Sequence, residues 1–166
     1  MNKTLTIALV GAGMFGGDVH LRTYCQLEQY GLSPWLGRLG LEPLARSLSD
    51  VDIEFVALGT RTESSAQTRK REFGALGMNF SLYHGETPWL DILHDFPELD
   101  ILAVATPDHL HTAPIIAALE AGVHVVTEKP MALDASEADA IIAASEKAGR
   151  LVGVDMHKRY DPDHLR

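Results

Sequence analysis

A chain of 166 residues, 46% of them hydrophobic, can bury one sizeable core, and its length argues for one domain. With 14 Lys and Arg against 23 Asp and Glu, and a net charge of −9, it lacks the basic face that nucleic acid requires. A single cysteine, Cys25, allows no internal disulfide; without a secretory signal, the expected compartment is the reducing cytoplasm.

The first predicted element is a strand from Thr4 to Val10, short, apolar and β-branched, running straight into glycines. Lys3 and the apolar run after it imitate a signal peptide, but the run is interrupted at Thr6 and stops at Gly11. No stretch approaches the roughly 18 uninterrupted apolar residues of a membrane span, so a membrane is not an expected partner.

The strand ends in GAGMFG, where Gly11, Gly13 and Gly16 match G-x-G-x-x-G and a helical stretch follows. In that context Gly11 makes the tight turn, Gly13 lets a pyrophosphate approach the backbone, and Gly16 packs helix against sheet. Met14 and Phe15, within the motif, are expected beside the cofactor, whose phosphates sit at the amino end of the helix. From Gly31 to Asp50 the chain departs from the simplest plan, rich in Gly and Pro early and helical later. We read this segment as an insertion that could be a lid, a subunit contact or a surface excursion.

Further strands are predicted at EFVALG from Glu54, DILAVAT from Asp100, VHVVT from Val123 and LVGVD from Leu151, with a weaker one at NFSLY from Asn79. Helical patterns alternate with them: SSAQTRKREFG, TPWLDILHDF, TAPIIAALEAG and DASEADAIIAASEKAG. The last begins at Asp134 with Glu137 at capping-box spacing, and Gly149 stands where a left-handed terminator is needed. Such alternation predicts an α/β doubly wound, mostly parallel sheet of about six strands with helices on both faces and ligands at the carboxyl ends of the strands.

An acid usually ends the second strand of a dinucleotide site, binding the ribose diol. Here Thr60 and Arg61 stand there, a hydroxyl and a forked cation suited to a 2′-phosphate, so NADP is the preferred cofactor and NAD the alternative. Arg69 or Lys70 could substitute for Arg61. Asp108, His109 and His111 do not form a metal site, because no further ligand cluster follows them.

The stretch from ATPDHLH through ALEAGVHVVTEKPMALD to MHKRYDP closely resembles the Gfo/Idh/MocA family of oxidoreductases, with its T-P-x-x-x-H turn, its A-L-x-A-G-x-H-V passage and its E-K-P signature. The resemblance runs from Ile7 to Pro162 except for the insertion, and implies an NAD(P)-binding Rossmann domain. It implies that Thr106 and Pro107 lie against the cofactor, that Glu128 helps to hold the nicotinamide site, and that Lys129 is catalytic or substrate-binding. Lys129 follows an apolar strand at the ligand edge, and a partly desolvated lysine there suits proton exchange with a substrate hydroxyl. His111 matches the motif histidine; we group it with the cofactor-binding residues and read it as starting the next helix. Arg159 matches a recurrent arginine and is a substrate-binding candidate, whereas His157 stands where an asparagine is frequent.

The family's substrate-binding α+β domain would begin where this chain stops, at Arg166, so the expectation is the dinucleotide-binding domain, residues 1–166, of a longer oxidoreductase. The whole protein is expected to act on a sugar, polyol or related small molecule, and to be a homo-oligomer. The rival reading is a dinucleotide-binding or sensing module without catalysis, because the fold hosts many functions.

Overall fold

The computed structural model describes residues 3–159. Six parallel strands form one sheet: Lys3–Val10 (β1), Val51–Thr60 (β2), Ser81–His84 (β3), Ile101–Val104 (β4), His124–Glu128 (β5) and Val152–Asp155 (β6). Their spatial order is β3-β2-β1-β4-β5-β6, so the chain reverses direction across the sheet between β1 and β4. Every predicted strand is present, the weak third included.

A wide π-helical segment, Met14–Leu21, follows β1 and continues into Arg22–Tyr30 (α1). Two short helices come next, Ser33–Arg38 (α2) and Glu42–Ser47 (α3). The remaining helices are Glu63–Gly74 (α4), Pro88–Asp95 (α5), Thr112–Glu120 (α6) and Ala135–Ala148 (α7). Leu21, Tyr24 and Phe73 pack with Ile7, Leu9 and Phe55 on one face of the sheet. Ile92, Ile115 and Ile141 pack with Ala8, Val10 and Leu102 on the other. Strands buried on both faces are continuously apolar for this reason. Among the described residues no helix is long and apolar enough to cross a membrane.

Local signals agree with these boundaries. Asp134 caps α7 by accepting from the Glu137 amide at 2.9 Å, while the Glu137 carboxylate accepts from the Leu133 amide at 2.9 Å. Gly149, at φ 61 and ψ 35, ends that helix in the left-handed conformation. Thr62 caps α4, accepting from the Ser65 amide at 3.4 Å. One irregularity was invisible in the sequence: Ile7 pairs with Phe55 but Ala8 with Ala57, leaving Val56 as a bulge. The bulge breaks the alternation, so Phe55 and Leu58 share a face although they are three apart.

The insertion consists of α2 and α3 packed on each other, with the Ser33 hydroxyl donating to the Ala45 carbonyl at 3.2 Å. It leads directly into the start of β2, and the Asp50 carbonyl accepts from the Lys3 amide at the start of β1. The segment therefore sits at the amino edge of the sheet, opposite the edge where such sheets bind ligands, which removes the lid reading.

Phe55 is 1% exposed, stacked parallel to Tyr24 at 6.1 Å and edge-on to Phe80 at 5.1 Å. Phe55→Ala should lower unfolding free energy by about 3 to 5 kcal/mol, measured by urea denaturation. A loss below about 1 kcal/mol would show that this cluster does not hold β2 against α1.

Candidate dinucleotide site

The glycine turn lies at the reversal between β1 and β4. Gly11 has φ +101, and a Cβ there would overlap the backbone carbonyl of Ala105 just beyond β4. Gly16 is equally constrained, because its Cβ would strike the Gly11 carbonyl. Gly13 is different: a Cβ on it would meet nothing within 4 Å. The three glycines thus divide into two that permit backbone contact and one that faces open space.

That space is a cleft of about 510 Å³. Gly11, Gly13, Met14, Phe15, Thr60, Arg61, Thr106 and Pro107, all expected at the cofactor, line it. Two observations fit a dinucleotide: the opening over Gly13, and the buried Thr106 hydroxyl, which has no hydrogen-bond partner among the described residues. Met14 begins the helical segment, whose amino end favours negative charge.

The end of β2 is less simple than its sequence suggests. Thr60 is 3% exposed and donates its hydroxyl proton to the Thr62 carbonyl at 2.8 Å, so that proton serves the turn rather than a ligand. Arg61 is exposed and approaches Glu86 at 3.4 Å. Glu86 comes from the loop after β3 and also lines the cleft, placing an acid where the sequence around β2 showed none. Neither Arg69 nor Lys70 can stand in for Arg61. Arg69 donates to the Ala12 and Gly13 carbonyls at 3.3 and 3.4 Å and pairs with Asp18 and Glu72, bracing the glycine turn. Lys70 donates to the Phe80 carbonyl and to Asn79.

Lys129 stands beside the cleft, in a depression of about 300 Å³ that it shares with His157 and Arg159. Its Nζ lies 5.9 Å from the centre of the Phe15 ring, and the same ring lies 5.9 Å from His157. Phe15 therefore stands between the two hollows. Arg159 is exposed at the end of the chain's described part, and the passage from residue 160 to 162 lies outside the described residues.

His111 and Glu128 do not line the cleft. His111 is fully buried and lies just ahead of α6; its ring nitrogens approach the Thr106 carbonyl at 2.8 Å and the Pro130 carbonyl at 2.7 Å. The ring ties the turn after β4 to the turn after β5 and has no nitrogen left for a ligand. Glu128 is 6% exposed; one carboxylate oxygen accepts from His20 Nε2 at 2.9 Å and the other from the Lys129 amide at 3.2 Å.

His20 was missed in the sequence. It is buried, its Nδ1 lies 3.2 Å from the Tyr24 hydroxyl, and its Nε2 lies 3.7 Å from Asp155. Asp155 is register partner to Glu128 across β5 and β6, which is why both carboxylates reach one imidazole. The ligand-type atoms of His20, Glu128 and Asp155 lie within 4.8 Å of one another, and of the two carboxylates Glu128 is the one hydrogen-bonded to the imidazole. Burial first, then Asp155 and Glu128, push the Tyr24 phenol well above its ordinary pKa, so it stays protonated. Spacing alone places His20 on the buried face with Leu21 and Tyr24, but it gives no sign of the Glu128 partner 108 positions away.

Gly13→Val should still fold, since a Cβ there meets nothing within 4 Å among the described residues, yet lose dinucleotide binding in a fluorescence titration. Retained binding would show that the phosphates lie elsewhere.

Comparison with known proteins agrees with this geometry. A family model described as "Oxidoreductase family, NAD-binding Rossmann fold" (GFO_IDH_MocA) matches residues 5–156. D-glucoside 3-dehydrogenase of Escherichia coli is 28% identical over 167 residues, covering 99% of this chain and 39% of the relative. Inositol 2-dehydrogenase of Salmonella typhimurium is 26% identical over 164 residues, covering 98% of this chain and 40% of the relative. The chain thus spans about two fifths of the length of these relatives. A crystal structure of a putative oxidoreductase from Klebsiella pneumoniae superposes with a TM-score of 0.67 at 29% identity, over 99% of this chain and 38% of that one. Levoglucosan dehydrogenase in complex with NADH superposes at 0.70 with 24% identity, over 95% and 36%, a likeness of fold. With a family match across nearly all the described residues, this chain belongs to the Gfo/Idh/MocA oxidoreductase family and carries its NAD-binding Rossmann domain.

Proposed function

We propose that this chain is the cofactor-binding part of an oxidoreductase that moves a hydride between a nicotinamide and a carbon bearing a hydroxyl or carbonyl group. A sugar or polyol is the proposed substrate class, in keeping with relatives named as glucoside and inositol dehydrogenases. The observation that carries the reading is the adjacency of the glycine-lined cleft and Lys129, separated by the Phe15 ring.

Gly11, Gly13 and Met14 would hold the pyrophosphate, Arg61 the adenosine end, and Thr106 and Pro107 the cofactor along the switch point. The nicotinamide, when bound, accepts or supplies the hydride. Lys129 Nζ takes the hydroxyl proton when the alcohol carbon is oxidised and returns it when the carbonyl is reduced. Arg159 and His157 border the same hollow and would orient substrate oxygens. In the complete enzyme, Lys129→Ala should lower kcat by roughly a hundredfold or more with dinucleotide affinity nearly unchanged. Near-normal turnover would overturn the role.

NADP is the proposed preference. The Arg61 and Glu86 side chains are 75% and 81% exposed, and an ion pair in such a position contributes little, so a 2′-phosphate can take the guanidinium from it. Glu86 opposes the same phosphate, which sets the expected NADP preference at about tenfold, the lower end for one charge-assisted contact. Arg61→Ala should abolish that ratio and Glu86→Gln should increase it, both read as dissociation constants for NADPH and NADH. A ratio unmoved by either substitution would assign specificity to other residues.

A further inference from the structure

The buried polar chain behind Lys129 belongs to none of the roles above. It begins at Tyr24 on α1, passes through His20 on the helical segment that follows the glycine turn, and reaches Glu128 at the end of β5, with Asp155 of β6 alongside. Glu128 then accepts from the Lys129 amide. A carboxylate can only accept, so His20 Nε2 carries the proton in its bond to Glu128. Glu128 is thus held from two sides, by the imidazole and by the backbone of the residue whose side chain borders the substrate hollow.

We infer that His20 is a positioning residue for Lys129, acting through Glu128 and linking the dinucleotide-binding helix to the lysine that faces substrate. The link is specific in its geometry. Glu128 is 6% and His20 5% exposed, so water does not readily replace either partner. Removing the imidazole leaves a buried carboxylate free to rotate, and the acceptor for the Lys129 amide is then altered. The glycine turn and His20 share one helical segment, so the phosphate-binding end and the lysine are referred to the same rigid element. The consequence for catalysis rests on the role proposed for Lys129. The test reads the position of Lys129 and not turnover, so the two can fail separately.

The experiment is hydrogen exchange and chemical-shift measurement on the Lys129 amide by NMR, in the 166-residue chain and in His20→Leu, His20→Gln and Glu128→Gln. Amides of β2 serve as the internal record of global stability. His20→Leu and Glu128→Gln should each speed Lys129 exchange about tenfold or more relative to β2, the effect of losing one charge-assisted hydrogen bond. His20→Gln, which retains an N–H donor, should restore most of the protection. In the Glu128→Gln background His20→Leu should add nothing further, because the carboxylate through which it acts is already gone. An unchanged Lys129 amide in His20→Leu, or effects that simply add in the double variant, would overturn the inference. Should His20→Leu fail to fold, His20→Gln and Glu128→Gln decide: equal loss of protection in both would show that the donor at position 20 does not matter.

Discussion

The close approach of two backbones, Gly11 after β1 and Ala105 after β4, is the constraint on which the site depends. No side chain fits between them, and Gly16 in turn rests on the Gly11 carbonyl. This contact brings the amino end of the first helical segment down onto the reversal point of the sheet. Because β1 and β4 diverge into helices on opposite faces there, a crevice opens at their carboxyl ends, walled on its far side by the end of β2 and the loop after β3. Arg69 secures the turn from the side away from the cleft, its guanidinium filling the space that a Cβ on Gly17 would occupy. The cradle is therefore formed by backbone and braced by one partly buried cation, while Gly13 is left open toward the ligand.

Charge is distributed in keeping with this. The chain is acidic overall, at −9, yet the groups bordering the two hollows include Arg61, Lys129 and Arg159. A general acidic surface disfavours polyanions, whereas isolated cations at a cleft rim select a small anionic ligand. Glu86 tempers that selection next to Arg61. The balance between these two exposed side chains is a local matter, open to adjustment without disturbing the sheet.

Behind the cleft the polar groups are buried and fully engaged. Glu128 lies at the end of a strand, where exposure would be the ordinary state of a carboxylate, and remains inside because His20 and the Lys129 amide supply its donors. His111 performs a parallel service, joining the carbonyls of Thr106 and Pro130. Two buried histidines thus hold the turns after β4 and β5, the same turns that carry Thr106 and Lys129. Breaking either would remove one partner from a buried carboxylate or from the carbonyls that join these turns.

The periodic apolar runs, the capped helix at Asp134 and the glycine motif by themselves determined the parallel sheet, its alternation with helices and the cleft at its edge. These depend on local properties: β-branched runs, hydrogen bonds a few residues apart, and backbone freedom at glycine. E-K-P and T-P-x-x-x-H likewise carried the family in their own residues. Only the tertiary structure decided which charged groups meet. Glu86 reaches Arg61 from another loop, Thr60 turns its hydroxyl into its own turn, and the insertion settles at the amino edge. His20 reaches Glu128 across 108 positions of sequence, because the helical segment after β1 packs its buried face against the end of β5. Contacts of that kind follow from strand register and helix packing, quantities that a linear pattern of residues does not contain.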